Sequence, residues 1–485
     1  MRKWRFRRTT LIIAFSVAVV LGVASAGWVP AFSTNYLYPA ILLTLVFAKH
    51  KNITALVTLL LLGLVIGNWR GAIVMQRLDP LTDLYDQQVV LTATAQSDGI
   101  YSNNSQISFD VGSIQISDPE QINIPGRIKV EGFGANAVYR GDVVEVEGKL
   151  RDTLGSRQGR IGFAQIKVLG RSDSVIGDIR HNFSAGVFSA LPEPQASFGL
   201  GLLIGEKNTL PKIVTDNLAA VGLTHIIAVS GYNLTIIVTA VRRLLAKRSK
   251  YQAALCATLL VAAFVLLTGF SASIVRASIV SMLSIIAWYY GRTFRPVLLI
   301  TFTAAATAMW NPIYVWSDAG WYLSFLAFFG VLVLAPLLIK RFSSAKKPSV
   351  AKLLITESLC AQLMTLPYIL YTFERLSLLA LPANLIVVPL VPVAMLLSMV
   401  AGLAGMFATT FAGWFAWPAK VILTYILDVA GLFAKIPQAV VQRKMSVGGL
   451  IVLYSSILII ILALLRAVAK RATITDISSV NSRSL

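Results

Sequence analysis

Two hydrophobic patterns alternate along this chain. Apolar stretches near residues 11–28, 33–48 and 53–69, then near 222–241, 251–269, 273–290, 296–311, 319–339, 353–371, 379–406, 411–434 and 449–466, are long enough to read as spans of a hydrocarbon core roughly 30 Å thick. Between the two blocks the period changes. VVLTATAQSDG (89–99), SQISFDVGSIQIS (105–117), GRIKVEGFG (126–134), GDVVEVEGKL (141–150) and GFAQIKVL (162–169) alternate or cluster β-formers between turn residues, which predicts five strands. Five strands in so short a stretch fit a small Greek-key barrel of the OB type better than a sandwich. A 14-residue segment, DIRHNFSAGVFSAL (178–191), places Ile179, Phe183, Val187 and Leu191 at helical spacing and predicts an amphipathic helix on the outer leaflet.

Composition agrees with a polytopic α-helical membrane protein carrying an inserted extracytoplasmic β-barrel. Of 485 residues, 56% are hydrophobic and 13% charged. A formal charge of +21 would point to nucleic acid in a soluble chain, but in a membrane protein Lys and Arg also mark cytoplasmic loops. Counting them puts Arg2–Arg8, residues 49–51, 242–250, 291–295, 340–347 and the tail from Arg466 inside, and residues 70–196 outside. The expected organisation is therefore N-terminal spans (1–69), barrel (70–177), interfacial helix (178–196), second membrane block (197–466) and cytoplasmic tail (467–485). The first 28 residues, with a basic head and a small-residue site at Ala24-Ser25-Ala26, read either as a cleaved leader or as a retained first span. Cys256 and Cys360 both lie in apolar runs, and His50, His181 and His225 are far apart, so no disulfide framework, metal motif or cofactor motif is expected.

Polar residues inside apolar runs carry the candidate chemistry, because a polar group in hydrocarbon needs a partner or a water-filled cavity. GLTHIIAVSGYNLTIIV (222–238) holds His225, Ser230, Gly231, Asn233 and Thr235. This span either lines a conduit or packs through its small residues, and His225 reads as a hydrogen-bonding histidine or a site residue. Arg276 is the costliest residue in the membrane half, at about 2.5–3.5 kcal/mol on insertion scales. Ser273, Ala277, Ser281 and Ser284 form a small, mostly polar stripe beside it. Its guanidinium would either meet a phosphate bidentately or lock to Asp318. Asp318, Glu357 and Gln362 are further polar positions, and Pro382, Pro389 and Pro392 predict a broken helix. On the barrel, residues 88–126 carry four acids and no base, whereas Lys149, Arg151, Arg157, Arg160, Lys167 and Arg171 face only Asp152. That basic end is a candidate phosphate guide. Tyr101, Phe133 and Tyr139 are either base-stacking or core aromatics.

Four segments in order carry a family resemblance. GLTHIIAVSG (222–231), preceded by Gly205-Glu206, is followed by TGFSASIVRASIVSML (268–283), SDAGWYLSFLAFFG (317–330) and AQLMTLPYILYTFERLSLLALPANLIVVPLVP (361–392). Over about 200 residues this resembles the competence domain of the ComEC family, the inner-membrane channel for single-stranded DNA in natural transformation. The resemblance implies a DNA conduit lined from His225, Ser230, Gly231, Asn233, Ser273, Arg276, Asp318, Gln362 and Asn384, and no catalytic residue. It also implies single-stranded DNA, an extracytoplasmic receptor of the ComEA type, a separate nuclease, and cytoplasmic translocase and single-strand-binding proteins as partners. The chain departs from many relatives at Asn233 (His), Trp321 (Phe) and Ala272 (Pro), and the metallo-β-lactamase-like domain many of them carry is not expected here.

The reading of a different class is a proton-coupled carrier of a small or lipid-linked solute working through Asp318 and Glu357. The charge map itself yields a test of topology. A cysteine placed by Ser156→Cys is expected to react with a membrane-impermeant thiol reagent in intact spheroplasts; labelling only after lysis contradicts the map.

Overall fold

The computed structural model describes residues 5–481 apart from 30–51, 102–105, 136, 154–156, 172–174, 206–209, 228–233, 269–271, 293–294, 343–348, 437–439 and most of 235–248. The expected span near 33–48 lies outside the described residues, as do Ser230, Gly231 and Asn233.

Helices α1 (Arg8–Ser25) and α2 (Ile53–Leu84) form a tight parallel pair, with Gly63, Gly67 and Gly71 of α2 following Val19, Val23 and Ala26 along α1. Glycine permits it: a Cβ on Gly67 would stand 2.2 Å from the Val19 carbonyl oxygen, so only a bare backbone fits. The expected boundary at residue 69 is not a break. α2 runs on for 15 further residues, with Pro80 inside it, and its last turns enter the barrel. Leu81 and Leu84 are buried in the barrel's own core. The third expected span and the entry to the barrel are thus one helix.

The barrel comprises β1 (Gln88–Ala95), β2 (Ile100–Tyr101), β3 (Ile107–Asp118), β4 (Ile122–Phe133), β5 (Val143–Arg151) and β6 (Gly159–Gly170). The order β1-β5-β6-β4-β3 closes by pairing β1 with β3, while the short β2 sits on β3. Only β4 and β6 run parallel. A closed five-strand Greek key with that one parallel contact is the OB-like architecture the alternation predicted. Inward-facing Val, Ile and Leu fill it, including Leu91, Val111, Ile128, Val146 and Ile161.

Helix α3 (Val175–Ala190) covers most of the segment expected to be an amphipathic interfacial helix. Its second half packs on another helix: Phe183, Gly186 and Val187 meet Gly402 and Gly405, and a Cβ on Gly405 would stand 1.9 Å from the Gly186 carbonyl oxygen. Val175, Ile176 and Ile179 at its start stay exposed. The amphipathic pattern was real, but a glycine on the apolar stripe allows helix-to-helix contact that periodicity alone does not reveal.

The membrane block continues with α4 (Gln195–Ile204), α5 (Lys212–Ala220), the single turn α6 (Thr224–Ile227), α7 (Lys250–Thr268), α8 (Ala272–Tyr289), α9 (Pro296–Trp310), α10 (Ile313–Ser317) and α11 (Ala319–Phe342). It ends with α12 (Val350–Phe373), α13 (Ala380–Val387), α14 (Val391–Phe407), α15 (Ala412–Ala434) and α16 (Val447–Asn481). Seven helices among the described residues are long and apolar enough to cross a membrane. A two-stranded ribbon of β7 (Arg375–Ser377) and β8 (Val440–Gln442), which the sequence pattern did not predict, ties the α12–α13 connection to that of α15–α16.

The glycine contacts predict a steric test. Gly67→Leu should prevent α1 and α2 from closing and lower the amount of protein in the membrane, whereas Leu61→Ala, on the exposed side of α2, should leave it unchanged; equal abundance of both variants would contradict the pairing.

Candidate functional site

Arg276 is the centre of the site. It lies on the first turns of α8, a helix packed against α7, α9 and α11, and none of its surface is exposed. Its Nη2 donates to the Ser273 hydroxyl and to the Gly320 carbonyl, both at 3.0 Å. The Phe325 ring centroid stands 5.8 Å from the guanidinium carbon. Nε and Nη1 find no acceptor among the described residues. A buried arginine that uses only one of its three nitrogens leaves strong donors unsatisfied.

Asp318 stands beside this cluster but does not close on it. It is the N-cap of α11, and its Oδ1 accepts from the Gly320 amide at 2.9 Å. The two residues therefore meet through Gly320, whose amide serves the carboxylate and whose carbonyl serves the guanidinium. No direct ion pair joins them among the described residues. The cap has a local cause: Asp followed by two small residues leaves the orphan amides of a helix start within reach of its side chain.

The small stripe of α8 is in part buried against neighbouring helices. Ala277 and Ser281 are buried, and Ser284 turns its hydroxyl back to the Val280 carbonyl at 2.8 Å. At the far end of α8, Arg242 lies over the Trp288 ring at 4.5 Å. The departure at Trp321 has a physical reason: the indole is buried and donates to the Thr307 hydroxyl at 3.0 Å, a bond phenylalanine cannot make.

The remaining candidates divide. His225 is exposed, with Nδ1 3.1 Å from the Gly222 carbonyl oxygen. Gln362 on α12 and Asn384 on α13 each hold a buried amide oxygen that meets no donor among the described residues. The prolines break the apolar run as the pattern implied, since Val388–Leu390 forms a 3-10 turn between α13 and α14. A π-helical turn, Gly330–Leu334, interrupts α11 where Gly330 presses against the Cys360 carbonyl. Among the described residues no group of His, Cys, Asp and Glu has a metal-binding arrangement.

On the barrel the basic end is largely paired. Arg157 grips Asp110 with two nitrogens at 2.7 and 3.0 Å, Arg160 bonds Glu131, and Lys149 stands 3.3 Å from Asp86. Lys129 also reaches Glu131, at 2.5 Å. Burial pushes the Glu131 carboxyl up, but Lys129 and Arg160 outweigh it and hold the group below its usual range. Arg171 lies over the Tyr139 ring at 5.2 Å. Arg151 faces Arg160 across the β5–β6 ladder, and Lys167 faces Glu145. The charge asymmetry in sequence is thus much reduced in space, because acids from β3 and β4 fold onto the basic loop.

Sequence reasoning missed two residues. Arg70 on α2 donates from Nε and Nη2 to the Met309 and Trp310 carbonyls at 3.0 and 3.2 Å, closing the end of α9. Phe163 is 78% exposed and held at a φ of 56° in a bulged part of β6. The arginine just past an apolar run was a visible signal; the bulge left none in the alternation.

Comparison with known proteins agrees with this architecture. Residues 202–467, more than half of the chain, match the model of the competence protein family, so the chain belongs to that family. It is similar to ComE operon protein 3 of Bacillus subtilis (strain 168), with 27% identity over 256 residues, which covers 50% of this chain and 31% of that relative. No solved structure matches the chain.

The geometry around Gly320 predicts how the pair responds to substitution. Asp318→Asn should leave abundance in the membrane unchanged, since Asn caps a helix as well as Asp and no ion pair is lost. Asp318→Ala should lower stability by about 0.5–2 kcal/mol, the usual worth of a cap. An Asp318→Asn variant as depleted as Asp318→Ala, on immunoblots of membranes, would show that the carboxylate's charge matters after all.

Proposed function

We propose that this member of the competence protein family is a bacterial inner-membrane channel that passes single-stranded DNA inward during natural transformation, with residues 222–400 forming the conduit. The observation that carries this reading is Arg276. A cation with none of its surface exposed, two of whose nitrogens meet no acceptor among the described residues, calls for an anion, and a phosphodiester would offer it paired oxygens once the neighbouring helices part to admit it. The small, partly polar stripe of α8 beside it supplies a side of the helix that avoids lipid.

The barrel then stands as the guide on the outer side. Arg151 and Arg171 form no salt bridge among the described residues, Lys167 stands opposite Glu145, and Phe133 and Phe163 are exposed aromatics of the kind on which bases stack. An extracytoplasmic receptor of the ComEA type would deliver DNA to it, a separate nuclease would remove one strand, and cytoplasmic translocase and single-strand-binding proteins would take up the product. The conduit residues named from sequence remain parts of this proposal.

Flux measurement in proteoliposomes decides between this reading and the proton-coupled carrier. A fluorescent single-stranded oligonucleotide should become protected inside vesicles containing the protein. Arg276→Ala should lower that flux by about 10- to 100-fold, the scale of a charged hydrogen bond worth roughly 1.5–3 kcal/mol. Arg276→Lys should keep part of it, because charge survives while the planar fork is lost. Absence of strand flux together with solute uptake that follows an imposed proton gradient would overturn the channel in favour of the carrier.

A further inference from the structure

The connection between β4 and β5 reaches the membrane half, and nothing in the conduit reading uses that contact. Arg140 donates from Nη1 to the carbonyl of Thr268, the last residue of α7, at 3.2 Å. The final carbonyls of a helix have no amide partner within it and form the negative end of its dipole, so a guanidinium satisfies both needs. Thr268 is itself buried, and its hydroxyl turns back to the Phe264 carbonyl, so it offers the bond from a fixed position.

A second connection fixes Arg140 from behind. Its backbone amide donates to Asp98 Oδ1 at 2.8 Å, and the other oxygen of Asp98 stands 3.6 Å from Arg180 Nη2 on α3. The neighbouring Tyr139 ring meets His181 edge-on at 6.0 Å, while Arg171 covers its face. Burial, followed by the nearby Arg180, pushes Arg140 below its ordinary pKa against the pull of Asp98, as expected of a desolvated guanidinium among other cations. Two barrel loops, the start of α3 and the end of α7 are therefore joined through Arg140 and Asp98. Eight residues beyond Thr268 in the sequence lies Arg276.

We propose that Arg140 is a positioning residue for strand transfer: it registers the barrel on the α7–α8 hairpin so that a strand held by the barrel meets the conduit beside Arg276. The proposal rests on the channel reading, and its consequence is specific. Loss of Arg140 should leave each half intact and spoil their alignment. A residue needed only for folding would instead lower abundance and every activity together.

The test uses the full chain in nanodiscs, with spin labels at the exposed native Cys256 on α7 and at Leu169→Cys on β6. The parent should give a narrow distance distribution and Arg140→Ala a broad one. In the same variant, strand flux should fall about tenfold while binding of a labelled oligothymidine to solubilised protein stays within about twofold. Arg140→Lys, which can still donate to the Thr268 carbonyl, should restore both the narrow distribution and most of the flux. An unchanged distribution with Arg140→Ala, or a broadened one with undiminished flux, would overturn the proposal. Should Arg140→Ala fail to accumulate, Asp98→Asn serves instead: it weakens the hold on Arg180 and must broaden the distribution and reduce flux in the same way. If the parent itself carries no DNA, the channel reading falls, and the distance measurement alone still shows whether Arg140 fixes the barrel.

Discussion

Burial of a single guanidinium is the constraint around which the membrane half is arranged. An arginine well inside a membrane helix costs about 2.5–3.5 kcal/mol on insertion scales, and for the fully buried Arg276 the described neighbours satisfy only one of three nitrogens. Ser273 reaches Nη2 from one turn back on the same helix, and the first turn of α11 offers the Gly320 carbonyl. Offering that carbonyl requires the start of α11 to be held still, which the Asp318 cap does. Trp321, one residue on, is pinned by Thr307 of α9. The cost of one cation thus fixes the mutual placement of α8, α9 and α11.

Arginine-to-carbonyl bonds recur at the ends of these helices. Arg70 closes α9 from the α2 side, and Arg140 closes α7 from the barrel side. Both satisfy carbonyls that a helix cannot satisfy itself, and both attach an outlying element to the helices that flank Arg276. The continuous α2, packed along α1, adds a covalent route from the membrane half into the barrel core through Leu81 and Leu84. The barrel is therefore not a domain on a loose linker; it is fastened at one end by a helix and at another by a side chain.

How much of this could be read from the chain depends on whether a feature is local or assembled. Strand alternation in 89–169 follows from neighbours two apart, and the closed five-strand barrel appeared as expected, though its bulge at Phe163 did not. Arg276 was visible because its cost is intrinsic to its position. Its partner was not: Asp318 looked like a counterion in sequence, yet its side chain is used within its own turn and the bond passes to Gly320. The basic end of the barrel likewise looked like an open field until β3 and β4 brought Asp110 and Glu131 against it. The helix at 178–191 had the right period, but the contact of Gly186 with Gly405 depends on a residue more than 200 positions away. Small ribbons such as β7–β8 carry too few residues to show a period at all.

The central claim is that a phosphate of the moving strand passes Arg276, and a crosslink reports this most directly. A single strand carrying photoreactive 4-thiothymidine and a bulky block at its trailing end would stall in the conduit of the full-length protein, and irradiation followed by peptide mass spectrometry would locate the contact. The account predicts adducts within residues 273–284 of α8 and 318–325 of α11. Adducts confined to other segments of a protein that is carrying the strand would contradict it.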